Sequence, residues 1–174
     1  MVREGIFMAN LLTLKVLKGY TRPVVSLKGS LTCLIDSGAD TPIWTKGAER
    51  LNRFYKAEKV EEKKFLLSGF GNGYEIVDVY KISDFELTGT DEDGADDKVI
   101  FKNIIVGCTS RPSMVADLIL PNTAFSHMNL TLRNLNVQYP SVEIEHEKEE
   151  YFVNPIYRSD DNRFVDRVYS FTNE

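Results

Sequence analysis

The residues best suited to chemistry lie in one run, Thr32-Cys33-Leu34-Ile35-Asp36-Ser37-Gly38-Ala39-Asp40-Thr41. An apolar segment delivers a carboxylate at its end, and a small hydroxyl residue and a glycine follow at once. Asp36 is therefore expected where a buried strand opens into a turn, with little bulk around it. Gly38 lets the backbone bend and approach closely, and Ser37 can hydrogen-bond neighbouring backbone or a second chain. A carboxylate in such a place is costly to bury unless it is paired or hydrogen-bonded. Taken alone, Asp-Ser-Gly is also ordinary turn chemistry, so its meaning depends on what surrounds it.

Other constellations are weaker. The acidic run Asp91-Glu92-Asp93-Gly94-Ala95-Asp96-Asp97 has its glycine fourth and Lys98 close behind. A calcium loop of the EF-hand type needs glycine sixth and glutamate twelfth, so a solvated hairpin connection is expected. Cys33 and Cys108 form no metal-ligand spacing with each other or with His127 and His146, and no metal or cofactor is expected. Cys33 reads as a small core residue, His127 as a packing or surface residue and His146 as solvated within the charged run Glu143 to Glu150. Ser37 lacks the Gly-x-Ser-x-Gly setting of a hydrolase nucleophile. Ile35-Asp36-Ser37-Gly38 also faintly resembles the phosphate loop of actin-like ATPases, but that fold needs two large lobes, more than 174 residues supply.

The elements that must position Asp36 read as short strands separated by turns. Leu12, Leu14 and Val16 alternate with polar residues, the period of a half-buried strand. Pro23 to Leu27 and Leu31 to Ile35 flank Lys28-Gly29-Ser30 as a tight hairpin. Phe65 to Leu67 and Tyr74 to Tyr80 flank Ser68-Gly69-Phe70-Gly71-Asn72-Gly73 as a second. Phe85 to Leu87 and Val99 to Val106 read as strands joined across the acidic run. Helical spacing of Ala48, Leu51 and Phe54 predicts a short surface helix between Lys46 and Tyr55. Thr123 to Met128 is expected to form a second, shorter one behind Pro121 and Asn122. From Ser141 onward the chain reads as an extra strand or a docked tail.

Composition sets the class. With 43% hydrophobic and 27% charged residues the chain can bury a core of one domain. A net charge of −5 leaves no broad cationic footprint for nucleic acid or an anionic membrane. The apolar stretch Leu11 to Leu17 is too short and too polar for a signal or a membrane span, which makes the cytoplasm the expected location.

Together, Arg22-Pro23-Val24-Val25-Ser26-Leu27, the Lys28-Gly29-Ser30 turn and Leu34-Ile35-Asp36-Ser37-Gly38-Ala39-Asp40-Thr41 resemble the N-terminal part of the retropepsin-like (retroviral-type) aspartic proteases. Gly69-Phe70-Gly71-Asn72-Gly73 resembles the family's glycine-rich flap in place and composition. Asp117-Leu118-Ile119-Leu120-Pro121-Asn122-Thr123-Ala124-Phe125 looks like its late apolar strand and short helix. Three landmarks in order are more specific than any one of them. Two departures stand out. Pro121 occupies the place of the family's glycine, and Asn122 that of an arginine which, in viral members, pairs with the counterpart of Asp40. The longer helix after Trp44 looks more like cellular and bacterial relatives.

The resemblance implies a mainly β fold: a retropepsin-like closed barrel over residues 11–135, with a flap hairpin and one or two short helices, followed by an extension over 136–174. It implies a peptide or protein substrate, Asp36 as the catalytic acid, and Ser37, Gly38, Ala39 and Asp40 as its support. Gly69, Phe70, Gly71, Asn72 and Gly73 are the implied substrate-binding flap. Because the chain carries one Asp-Ser/Thr-Gly motif, the second acid is expected from a second copy, in a homodimer with its site on the two-fold axis. The alternative reading is a dimer of the same kind with little or no catalysis, serving as a binding or assembly module.

Overall fold

The computed structural model describes residues 9–20, 22–68, 74–112, 114–133 and 141–152, together with the backbone of Val168–Ser170. In chain order the elements are β1 (Asn10–Leu14), β2 (Val24–Ser26), β3 (Thr32–Asp36), β4 (Ile43–Trp44), α1 (Ala48–Phe54), β5 (Ala57–Ser68) and β6 (Tyr74–Thr90). They continue with β7 (Asp96–Cys108), β8 (Leu118–Pro121), a 3-10 turn (Asn122–Phe125), β9 (Asn129–Arg133), β10 (Ser141–His146), β11 (Glu150–Phe152) and β12 (Val168–Ser170). The expected mainly β character is present, as one curled, half-barrel sheet.

Along that sheet the strands run β2-β3-β8-β4-β7-β6-β1-β10-β9. Past β1 the chain returns beside β2, where Ser26 N–H donates to the Lys15 carbonyl at 2.9 Å and Leu17 N–H to the Val24 carbonyl at 2.9 Å. β6 and β7 form a long hairpin whose inward residues change phase midway. Ile82 faces Ile104 across the ladder, but beyond Ser83 and Asn103 the facing core pair is Phe85 and Phe101. Asn103 adopts φ 56, a left-handed backbone that asparagine tolerates, so both strands step together and keep their apolar side chains inside. At the far end Gly89 lies under β1: a Cβ there would meet the Thr13 carbonyl oxygen at 2.0 Å, so only glycine allows these backbones so close.

The main core is built on an aromatic chain. Trp44 meets Tyr55 edge-on at 6.2 Å, Tyr55 lies 5.8 Å from Phe85, Phe85 stacks on Phe101 at 6.0 Å, and Phe101 meets Phe125 edge-on at 5.6 Å. Each such side chain contributes roughly 1.5–3 kcal/mol on burial. A second cluster of Ala39, Ile43, Phe65, Leu67, Val77, Val79 and Ile119 covers the opposite face of the sheet.

Residues past 135 contribute strands to the same sheet. β10 lies between β1 and β9, β11 runs parallel to β7, and β12 runs parallel to β5. The Glu143–Glu150 run is thus not simply a charged surface: Ile144, alternating with Val142 just before the run, points into the core. His146, expected in solvent, follows them inward and is 3% exposed, between the Lys148 carbonyl at 2.8 Å and Asp97 Oδ2 at 3.1 Å. The predicted second helix is a 3-10 turn at Asn122–Phe125, seating Ala124 and Phe125 in the core. No helix among the described residues is long and apolar enough to cross a membrane.

Candidate active site

β3 carries Cys33, Leu34 and Ile35 buried in sequence and brings Asp36 to its open end. β8 lies parallel beside it, pairing Leu34 with Ile119, Ile35 with Leu120 and Asp36 with Pro121. Proline is tolerated there because a strand end needs no further ladder donor. The chain then turns tightly. Ala39 N–H donates to the Asp36 carbonyl at 3.2 Å, and Gly38 N–H donates to Asp36 Oδ1 at 2.9 Å. This amide holds the carboxylate back over its own turn, an arrangement set by the Asp-Ser-Gly order itself.

The other oxygen, Oδ2, faces Arg22, whose Nη2 lies at 3.3 Å. Asp36 keeps 13% of its side chain exposed and Arg22 47%, so only a narrow carboxylate edge reaches solvent, beside a cation that is itself about half exposed. Such a pair contributes at most about 1 kcal/mol. Ser37 and Asp40 are exposed, while Ala39 is buried in the second cluster. That cluster joins the Asp36 turn to Phe65 and Leu67 of β5 and Val77 of β6. Gly69, Phe70, Gly71, Asn72 and Gly73 lie outside the described residues; the strands flanking them pair up to Ser68 opposite Tyr74. Asn122 is exposed on the 3-10 turn.

A buried polar network at the other end of β3 was not anticipated from sequence. Asp117, 6% exposed, accepts from Thr32 N–H at 2.9 Å and Thr32 Oγ1 at 3.3 Å on Oδ2, and from Arg50 Nε at 3.1 Å on Oδ1. Thr45 Oγ1 donates to the Ala116 carbonyl at 2.6 Å, and Thr45 N–H to the Asp117 carbonyl at 2.8 Å. The network locks β3, β4, α1 and β8 together and sets the register that ends at Asp36 and Pro121. The available signal was an acid immediately before an apolar strand, which resembles a loop residue until its partners 67 and 85 positions away are known.

Three further side chains can be placed. Thr41 Oγ1 is buried without a hydrogen-bond partner among the described residues. Cys33, three residues before Asp36 in β3, has its thiol driven upward by complete burial, and burial followed by the Asp78 charge pushes the half-buried Cys108 up to about 11. Both are therefore protonated, unreactive thiols near neutral pH. No protein-family model, curated protein or solved structure matches the chain.

Proposed function

We propose that the chain is one protomer of a homodimeric, retropepsin-like aspartic endopeptidase. The observation that carries this reading is the presentation of Asp36. Its carboxylate stands at the end of a buried strand, one oxygen held by the Gly38 amide and the other paired with the half-exposed Arg22. A second copy meeting this turn about a two-fold axis, with Arg22 turned aside into solvent, would bring two acids together. Two carboxyls so close share one proton and titrate as a unit. The ionised member takes a proton from a water held between them as it attacks the scissile carbonyl; the protonated member polarises that carbonyl, and a proton then passes to the leaving amine. Ser37 braces the paired turns, Ala39 and Asp40 complete them, and the stretch from Gly69 to Gly73 covers an extended peptide. The curled sheet, with its β1 continuation beside β2, supports a closed-barrel protomer.

The second reading, a dimer that binds peptide without cutting it, is favoured by Arg22 on Asp36 Oδ2 and by Pro121 and Asn122 at the end of β8. One experiment separates the two. Purified protein is incubated with an unstructured polypeptide at mildly acidic pH, beside Asp36→Asn, with the mass of each in solution measured. Cleavage by the parent dimer and none by a dimeric Asp36→Asn supports the protease. Cleavage that survives the substitution removes Asp36 from the chemistry, and a folded dimer that cuts nothing supports the binding module.

A further inference from the structure

We propose that Glu75 is a positioning residue whose carboxylate ties the end of the β5–β6 hairpin to the loop between β7 and β8. Leu67 and Val77 are the last residues of the hairpin packed in the second cluster. Two positions beyond Val77, on the same face, an apolar residue would continue the pattern, but the chain places Glu75 there. Its neighbours Tyr74 and Ile76 point to the other face and are 70% and 63% exposed.

Both carboxylate oxygens of Glu75 are used by one short loop. Thr109 Oγ1 donates to Oε2 at 2.7 Å, and Arg111 Nη2 donates to Oε1 at 2.9 Å. Thr109 is buried, and the loop is itself pinned. Thr109 N–H donates to the Trp44 carbonyl at 2.9 Å and Arg111 N–H to the Thr45 carbonyl at 2.6 Å. Lys46 Nζ donates to the carbonyls of Pro112 at 2.8 Å and Met114 at 2.5 Å. The loop is thus bonded to Trp44, Thr45 and Lys46, and Glu75 fastens the last described rungs of the hairpin to it. Charge-assisted bonds that remain about one-third exposed on both partners can exchange with water, whereas apolar packing at this position would release only by exposing itself. The same loop runs directly into β8, which pairs with β3 and carries the Asp36 register. Glu75 therefore sets the stance of the hairpin relative to the Asp36 turn. Its consequence for substrate entry rests on the protease reading; the tie itself does not.

Amide hydrogen exchange on the full chain tests the tie. In Glu75→Ala, exchange within 66–68 and 74–77 is expected to rise about tenfold, while amides of 84–87 and 99–102 stay unchanged. Glu75→Gln, which keeps the size and one acceptor, is expected to give a smaller rise. Arg111→Ala alone and combined with Glu75→Ala completes a cycle in which the double variant exchanges far more slowly than the product of the single effects predicts. Unchanged exchange in Glu75→Ala, or effects that multiply independently, overturns the proposal. On a cleaved peptide, loosening is expected to raise KM severalfold more than it lowers kcat. A parent protein that cuts nothing yet shows the coupled exchange effect refutes the protease reading and leaves the tie standing.

Discussion

Replacing Asp117 tests whether the buried network sets the register on which Asp36 depends. In Asp117→Asn one oxygen remains. Turned toward Thr32, it keeps the bonds from the amide and the hydroxyl, and the new NH2 group faces Arg50 Nε, donor against donor. Arg50 is one-third exposed and can turn to water, so the loss is one partly solvated, charge-assisted bond, about 2 kcal/mol. Asp117→Ala also strips the acceptor from the Thr32 amide and hydroxyl beneath the sheet, which raises the cost to about 4 kcal/mol. For a chain of this length each kcal/mol shifts Tm by roughly 2–4 °C, so the two variants should melt about 6 °C and 12 °C below the parent. Urea unfolding at constant m-value is the assay. If the protease reading holds, activity should fall in both variants while they remain folded, because the β3–β8 register ends at the catalytic acid. A parent-like midpoint for Asp117→Asn, or an alanine variant no worse than the asparagine one, would refute the reasoning.

Three other outcomes are expected. Gly89→Ala should cost about 3 kcal/mol, since the added carbon meets the Thr13 carbonyl oxygen at 2.0 Å and β1 must retreat; retained protection of the β1 and β10 amides would contradict this. Thr41→Val should stabilise by about 1 kcal/mol, because it removes a buried hydroxyl without a partner among the described residues and keeps the shape; a lower melting temperature would mean the hydroxyl is bonded. The third concerns acid. A hydrogen bond from Lys64, then the charges of Lys64 and Lys59, hold the Asp78 carboxyl below its ordinary value against the opposing effect of burial. An acid lowered by folding contributes stability above its unfolded value, near 3.8, and loses it as pH falls through the folded one. Asp78 is about one-third exposed, so the contribution is below about 1 kcal/mol. Asp78→Asn should narrow the gap between urea midpoints at pH 7 and pH 3, and an unchanged gap would count against the pairing.

The legible parts of this protein are those in which neighbours in sequence are also neighbours in space. Period-two alternation marked β1, a continuous apolar run marked β3 and turn chemistry marked the β5–β6 hairpin, and the Asp91–Ala95 connection closes as expected, with Asp91 Oδ1 accepting from the amides of Asp93 and Ala95. The turn at Asp36 was readable for the same reason: its capping amide is two residues away. β10 was obscured because its outward glutamates dominated the pattern, although Val142, Ile144 and His146 keep strict alternation.

Local chemistry in the amino-acid order was enough to specify a mainly β chain and a carboxylate held at a strand end by its own turn. Tertiary structure alone decided the rest: the parallel seat of β8 against β3, the burial of Asp117 under Arg50 and Thr32, and the grip of Thr109 and Arg111 on Glu75. Those contacts join residues 34 to 85 positions apart. A lone acid reads identically whether solvent or a distant donor awaits it, and only chain closure brings the donor within reach.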